Sequence, residues 1–199
     1  NPAIFTPYEP GSTFKAITMA MALDKGKVTP STTFTDTGEV KIGPYTIRNS
    51  DNKAHGVQTM TQVLEESLNT GAIFTARKVG RKDFLEYAKA FGFGSKTGIE
   101  LSGEVQGSIN ALSDKNEIYL ATSSFGQGFT VTPLQLVSAF GAIANGGNLM
   151  QPYLVHAIVK PDGNKLTTKP KVVRRVISER SATLLSGMLV NVVRKGHGT

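Results

Sequence analysis

Apolar positions fall along the chain in stretches that predict mostly helices, with short alternating segments between them. The first and strongest is Phe14 to Leu23, where Ala16, Ile17, Met19, Ala20, Met21, Ala22 and Leu23 leave almost no polar face. A helix apolar on nearly all sides belongs in the centre of a fold, not on its surface. Pro10-Gly11 break the chain just before it, and Asp24-Lys25-Gly26 end it, with Gly26 suited to the left-handed position after the last turn. Pro2, Pro7 and Pro10 predict an extended lead-in.

Downstream, residues 28–37 are rich in threonine, serine and proline and read as loop. Glu39 to Ile42 and Tyr45 to Arg48 alternate with period two around Gly43-Pro44, predicting a hairpin, and residues 49–56 read as polar loop. Residues 59–68 have Met60, Val63 and Leu64 on one helical face, with Gln62, Glu65 and Glu66 facing water. A break at Asn69-Thr70-Gly71 separates this run from a second helix over residues 72–79. A third, over residues 81–91, has Phe84, Leu85, Tyr87, Ala88 and Phe91 as its apolar side.

Residues 92–107 form a glycine-punctuated loop, and a short helix is expected over 115–124. Thr132-Pro133 is a helix start, cap and then proline, for a helix ending at Asn145-Gly146-Gly147. Residues 153–159 and 165–173 flank the hairpin turn Pro161-Asp162-Gly163-Asn164, and Ser178 caps a last helix over 179–194. The pattern is that of an α+β chain, rich in helix, with two small hairpins.

The composition narrows the chemistry. Without cysteine among 199 residues there is no disulfide, thiolate metal site or cysteine nucleophile. The net charge of +7 raises nucleic-acid binding, but the positive residues are scattered. The densest group, Lys165 to Arg175, alternates with threonine, proline and valine and has no aromatic platform, so no nucleic-acid partner is expected. His55, His156 and His197 lack metal-ligand spacing, and neither a metal nor a cofactor is expected. No stretch approaches the roughly 18–20 apolar residues of a membrane span.

The tetrad Ser12-Thr13-Phe14-Lys15 changes the picture. Residues three apart on a helix are neighbours, so an amine one turn into a buried helix can reach a hydroxyl at its mouth. A serine alcohol needs a base to become a nucleophile, and burial lowers a lysine's pKa enough for it to be one. The free N–H groups of the helix start favour negative charge near the serine oxygen. A serine before a helix is also a common cap, and the flanking sequence decides between the two readings: Lys15 would be buried, where a solvated ammonium does not belong.

Ser67-Leu68-Asn69 offers a second hydroxyl and an amide from the break between two helices. Ser50-Asp51-Asn52-Lys53 repeats the Ser-x-x-Lys spacing without an apolar helix behind it and reads as polar loop, while Ser108-Ile109-Asn110 repeats only Ser-x-Asn. Phe5 and Tyr8, just before the serine helix, either line a cleft or pack.

Pro10-Gly11-Ser12-Thr13-Phe14-Lys15 and Glu66-Ser67-Leu68-Asn69-Thr70-Gly71 resemble the first two active-site motifs of the penicillin-binding protein transpeptidase domain. Phe91 to Glu104, Gly126-Gln127-Gly128, Val131 to Leu136 and Ile143 to Gly147 resemble segments of its monofunctional class B members, in the family's order.

The resemblance implies a penicillin-binding, serine β-lactamase-like fold, here mainly its helical subdomain, with the central sheet largely missing. It implies a partial domain over 1–199, truncated at both ends. It also implies a D,D-transpeptidase that cross-links peptidoglycan stem peptides and is acylated by β-lactams. Ser12 would be the nucleophile, Lys15 its base and Ser67 a proton relay. Asn69, Gly126, Gln127 and Gly128 would bind substrate. The parent would be anchored at the extracytoplasmic face of the membrane by a helix outside this chain, with a glycosyltransferase of the division or elongation machinery as a partner.

Lys96-Thr97-Gly98 copies the family's third motif but lies before Gly126-Gln127-Gly128, in a glycine-rich loop, and is not expected to touch substrate. Its glycine spacing is also wrong for a phosphate-binding loop. The same fold serves β-lactam sensors and β-lactamases, and a non-catalytic cell-wall scaffold is a third reading. Hydrolysis needs a base for water, and Glu65 and Glu66 are expected on the wet face of their helix.

Overall fold

The structure, a computed structural model, describes residues 1–196; His197 lies outside them. A short helix α1 (Pro2–Phe5), capped by Asn1, replaces the extended lead-in expected from the prolines. Proline at the first helical position has its φ already set and loses no hydrogen bond there, so Pro2 starts a helix instead of preventing one. A 3₁₀ turn (Gly11–Thr13) then leads into α2 (Phe14–Asp24), whose residues from Phe14 to Leu23 are all buried.

Strand β1 (Thr33–Asp36), the hairpin β2 (Glu39–Ile42) and β3 (Tyr45–Arg48), and β4 (Gly56–Thr59) follow. β1, in a segment expected as loop, pairs antiparallel with β4, between the loop expected to end at Gly56 and the helix expected to start at Thr59, and the two form a small sheet. The pairing joins segments about twenty residues apart, a contact that local composition does not encode.

Helices α3 (Met60–Glu65), α4 (Asn69–Val79) and α5 (Arg81–Ala90) come next. Thr59 and Gln62 cap α3 reciprocally. The break after α3 falls at Ser67-Leu68, not at Asn69-Thr70-Gly71. Gly71 lies inside α4, where a Cβ would come within 2.5 Å of Val63 Cγ2. Its missing side chain lets α3 and α4 approach; it does not end a helix.

A long loop held by a second 3₁₀ turn (Asn110–Ser113) leads to α6 (Glu117–Ser124) and α7 (Pro133–Ala144), the latter capped by Thr132 as the sequence indicates, with Gln135 completing a reciprocal cap. Strand β5 (Asn148–Met150) pairs with β8 (Val172–Arg175), and β6 (Ala157–Val159) with β7 (Lys165–Thr167) around the Asp162-Gly163 turn. The single strand expected over 165–173 is divided, because Pro170 interrupts it and has no N–H for a ladder. Helix α8 (Glu179–Lys195) starts at the Ser178 cap and ends with Arg194 and Lys195 near its negative pole.

All four sheets are two-stranded, so among the described residues no central sheet is formed, as expected of an α+β piece dominated by helices. The core is built around α2. Phe14 meets Phe129, Phe93 and Phe84 at ring-centroid distances of 4.8, 5.3 and 6.3 Å. Thr18, the polar residue deep in α2, gives its hydroxyl to Ser124 O at 2.8 Å, so its burial costs little. A hydrogen-bonded clamp fixes the far end of α2: Asp24 accepts from Tyr87 Oη at 2.6 Å and from Ser178 N at 2.7 Å. The start of α2 is held by the packing of Phe14 against its three aromatic neighbours. That start carries the serine and lysine.

Candidate active site

Ser12 sits in the 3₁₀ turn and Lys15 one residue into α2. The two side chains therefore come from different elements that follow one another directly in the chain. Ser12 is exposed and caps nothing; Thr13 makes the local bond instead, giving its hydroxyl to Pro10 O at 2.7 Å. Among the described residues the Ser12 hydroxyl has no hydrogen-bond partner. The serine therefore does not have the capping role that competed with nucleophilicity.

Lys15 is 3% exposed. Its Nζ donates to Ser67 Oγ at 3.0 Å and also to Ser67 O. Burial lowers its pKa from 10.5 to about 7. No carboxylate pairs with it among the described residues, so no opposite charge offsets the cost of burying an ammonium. A neutral amine has two N–H bonds and one lone pair. With both donors turned to Ser67, the lone pair is left to accept a proton. The sequence places the amine within reach of Ser12, whereas its hydrogen bonds in the structure run to Ser67.

Ser67 has φ of 53°, and only Asn52 shares a positive φ among the described non-glycine residues. The left-handed region costs a residue with a Cβ roughly 1–2 kcal/mol. Here that conformation aims both the carbonyl and the hydroxyl of one residue at the same amine. Ser67 N to Leu64 O at 3.2 Å and Leu68 N to Val63 O at 2.9 Å hold the turn.

Ser12, Lys15 and Ser67 line one cavity of about 260 Å³, walled by Leu64, Phe140, Leu189 and Val192. The apolar wall from α7 and α8 was not assigned to the site by sequence, since its residues carry no motif. Glu65 also borders this cavity, and both Glu65 and Glu66 are half-buried, which corrects their placement on a wet helix face. An open apolar groove of about 780 Å³ between α7 and α8 adjoins the cavity at Thr13, Phe140 and Leu189.

The other candidate residues surround this centre without lining it. Asn69 gives its Nδ2 to Arg48 O at 2.8 Å, leaving Oδ1 to accept from a ligand. Gly126 is buried beneath the turn that carries Ser12, and its carbonyl accepts from Gly11 N at 3.0 Å. A Cβ on Gly126 would lie 2.6 Å from Gly11 N, so only glycine permits this approach. Gln127 and Gly128 are exposed and border a separate depression with Glu9, Tyr45 and Tyr119. Phe5 and Tyr8 are 51% and 41% exposed and do not line the Ser12 cavity.

Lys96-Thr97-Gly98 does not line it either. Glu104, 7% exposed, accepts from Thr97 N at 2.7 Å and Gly98 N at 3.1 Å, a structural anchor for that loop. Among the described residues no group of histidines or carboxylates is arranged to hold a metal, and no helix is long and apolar enough to cross a membrane.

A model of the penicillin-binding protein transpeptidase domain matches residues 1–199. Stage V sporulation protein D of Bacillus subtilis is 38% identical over 201 residues, covering 100% of this chain and 31% of that protein. A probable peptidoglycan D,D-transpeptidase of Caulobacter vibrioides is 33% identical, covering 97% of this chain and 31% of its own length. Among solved structures, penicillin-binding protein 3 of Mycobacterium tuberculosis in complex with aztreonam superposes with a TM-score of 0.89. It is 31% identical, covering 97% of this chain and 43% of that one. The chain thus spans about a third of the length of these curated relatives. It has the transpeptidase fold and belongs to the penicillin-binding protein transpeptidase domain family, in its class B branch.

Proposed function

We propose that this chain is the nucleophile-bearing part of a D,D-transpeptidase that cross-links peptidoglycan through an acyl-enzyme on Ser12. The observation that carries the reading is the Lys15 amine, buried and bonded to Ser67 in the cavity that Ser12 also lines. In this mechanism the Lys15 lone pair accepts the Ser12 hydroxyl proton as Oγ attacks the carbonyl of the penultimate D-alanine of a stem peptide. The Ser12 N–H contributes to binding the developing oxyanion. Collapse of the tetrahedral adduct breaks the peptide bond, and Ser67 hands its proton to the departing D-alanine amine while taking the proton held by the Lys15 ammonium, 3.0 Å away, which returns Lys15 to the neutral amine. Asn69 accepts from the donor's backbone N–H, which fixes the carbonyl over Ser12. An amine of a second stem peptide then takes the acyl group and returns Ser12 to its alcohol.

β-Lactams, with a strained amide in the same position, acylate the same serine. A relative solved both with aztreonam and with ampicillin supports this reading. We place the activity in the longer protein, at the outer face of the cytoplasmic membrane where the substrate lies. Glycan strands come from a glycosyltransferase partner.

The test uses the full-length protein and a fluorescent penicillin. Covalent labelling that persists for hours and disappears in Ser12→Ala supports the reading. Unchanged labelling and unchanged cross-linking in that variant end it, and rapid turnover of the label points to a hydrolase.

A further inference from the structure

The side chains that shape the amide-binding loop come from outside both motifs. Helix α4 begins at Asn69 with Leu68 in the cap position, and a leucine side chain has no atom to accept from the first N–H groups. Asn49 supplies the missing acceptor from a distant loop: its Oδ1 accepts from Thr70 N at 3.2 Å. Asp36, at the end of β1 and 2% exposed, holds that cap in place. One carboxylate oxygen accepts from Thr70 Oγ1 at 2.7 Å and Gly38 N at 2.9 Å. The other accepts from Asn49 Nδ2 at 2.8 Å and His55 N at 3.0 Å.

Four donors therefore converge on this buried carboxylate, and no cation pairs with it among the described residues. Asp36 thus holds the caps of Thr70, the residue next to Asn69, while the Asn69 amide is clamped from the other side by Arg48 O.

We propose that Asp36 is a positioning residue for substrate binding, acting through Asn49 and Thr70 to set the start of α4 and so the orientation of the Asn69 amide. The inference rests on the assignment of Asn69 to the acyl donor's backbone. The carboxylate does not touch substrate; it fixes the helix turn that carries Asn69. Burying a charge with only dipoles around it is costly, and that cost is justified if the geometry it fixes is used.

The experiment compares Thr70→Val, Thr70→Ser and Asp36→Asn in the full-length protein, with Ser12→Ala as the control for the acyl-enzyme itself. Thr70→Val removes the hydroxyl donor at nearly constant volume. Its acylation step by fluorescent penicillin is expected to slow about ten- to hundredfold, the scale of a small misplacement at a reacting centre. The pH dependence set by Lys15 is expected to stay as in the wild type. Thr70→Ser keeps the hydroxyl and is expected to restore the rate. Amide hydrogen exchange over residues 69–72 is expected to quicken in Thr70→Val and Asp36→Asn, a local readout independent of activity.

Wild-type acylation in a folded Thr70→Val, or equal slowing in Thr70→Ser, overturns the proposal even if Asp36→Asn does not fold. If Ser12→Ala still labels, the acyl-enzyme reading fails, and the exchange data still decide whether Asp36 orders this turn.

Discussion

The Lys15 amine lies 3.0 Å from the Ser67 hydroxyl although fifty-two residues separate them in the chain. α2 supplies the amine and the turn after α3 supplies the hydroxyl, and the hydrogen bonds between them tie the two elements together. Burial lowers the amine's pKa, and the unusual φ of Ser67 turns two acceptors toward it. Either residue alone would be an ordinary polar group in an unfavourable place.

The first prediction is the pH dependence of acylation. The base form of Lys15 is the neutral amine, with a pKa of about 7. The rate of penicillin labelling should fall about tenfold per unit of pH below that value and level off above it. Lys15→Arg should be slow at every pH, because a guanidinium stays charged throughout. Labelling rates from pH 5 to 9 test this; a flat profile, or an arginine variant that labels normally, contradicts the role of Lys15.

The second prediction concerns stability and runs the opposite way from a salt-bridged lysine. The folded pKa is lowered to about 7 from 10.5. Between those values the unfolded chain binds a proton that the folded chain does not, so stability rises with pH across the window. Below about 7 the penalty for burying Lys15 is present in full and constant; above 10.5 it is gone. Lys15→Met removes the titrating group. Urea unfolding at successive pH values should show the wild type gaining on the variant by about 1.4 kcal/mol per pH unit inside the window. Parallel curves would show that the amine is solvated and charged in the folded protein.

Much of this site is legible in the residues, and the remainder is not for identifiable reasons. The helical core around Phe14 and the caps at Thr132 and Ser178 follow from periodicity and local hydrogen-bonding chemistry, and the structure has them where the pattern puts them. The Ser67 break was displaced because Gly71 imitates a helix breaker while serving as a packing contact with Val63. Asp36 carried no local signal, since the partners that give it meaning are Asn49, His55 and Thr70, reached only after β1 pairs with β4. The apolar wall from Phe140, Leu189 and Val192 was legible as helix faces, but not as the side of a cavity.

The third prediction separates the copied motif at Lys96-Thr97-Gly98 from its anchor. Lys96 is exposed and borders a small crevice with Gln135 and Arg174, away from Ser12. Lys96→Ala should therefore leave both the labelling rate and the melting temperature at wild-type values. Glu104 is the residue on which that loop depends, since its carboxylate satisfies Thr97 N and Gly98 N in a buried position. Glu104→Ala strands those donors and should cost about 1–3 kcal/mol of stability, the scale of an unsatisfied buried group. Glu104→Gln keeps one acceptor oxygen and should lose less. Because the neighbouring backbone at Ser95 and Gln106 is tied to α7 through Gln135 Nε2, at 2.7 and 2.9 Å, the damage should spread to α7 and appear as faster exchange there. A strong loss of acylation in Lys96→Ala with unchanged melting would mean that this lysine reaches the substrate after all, and that the chain's order of motifs misrepresents their arrangement in space.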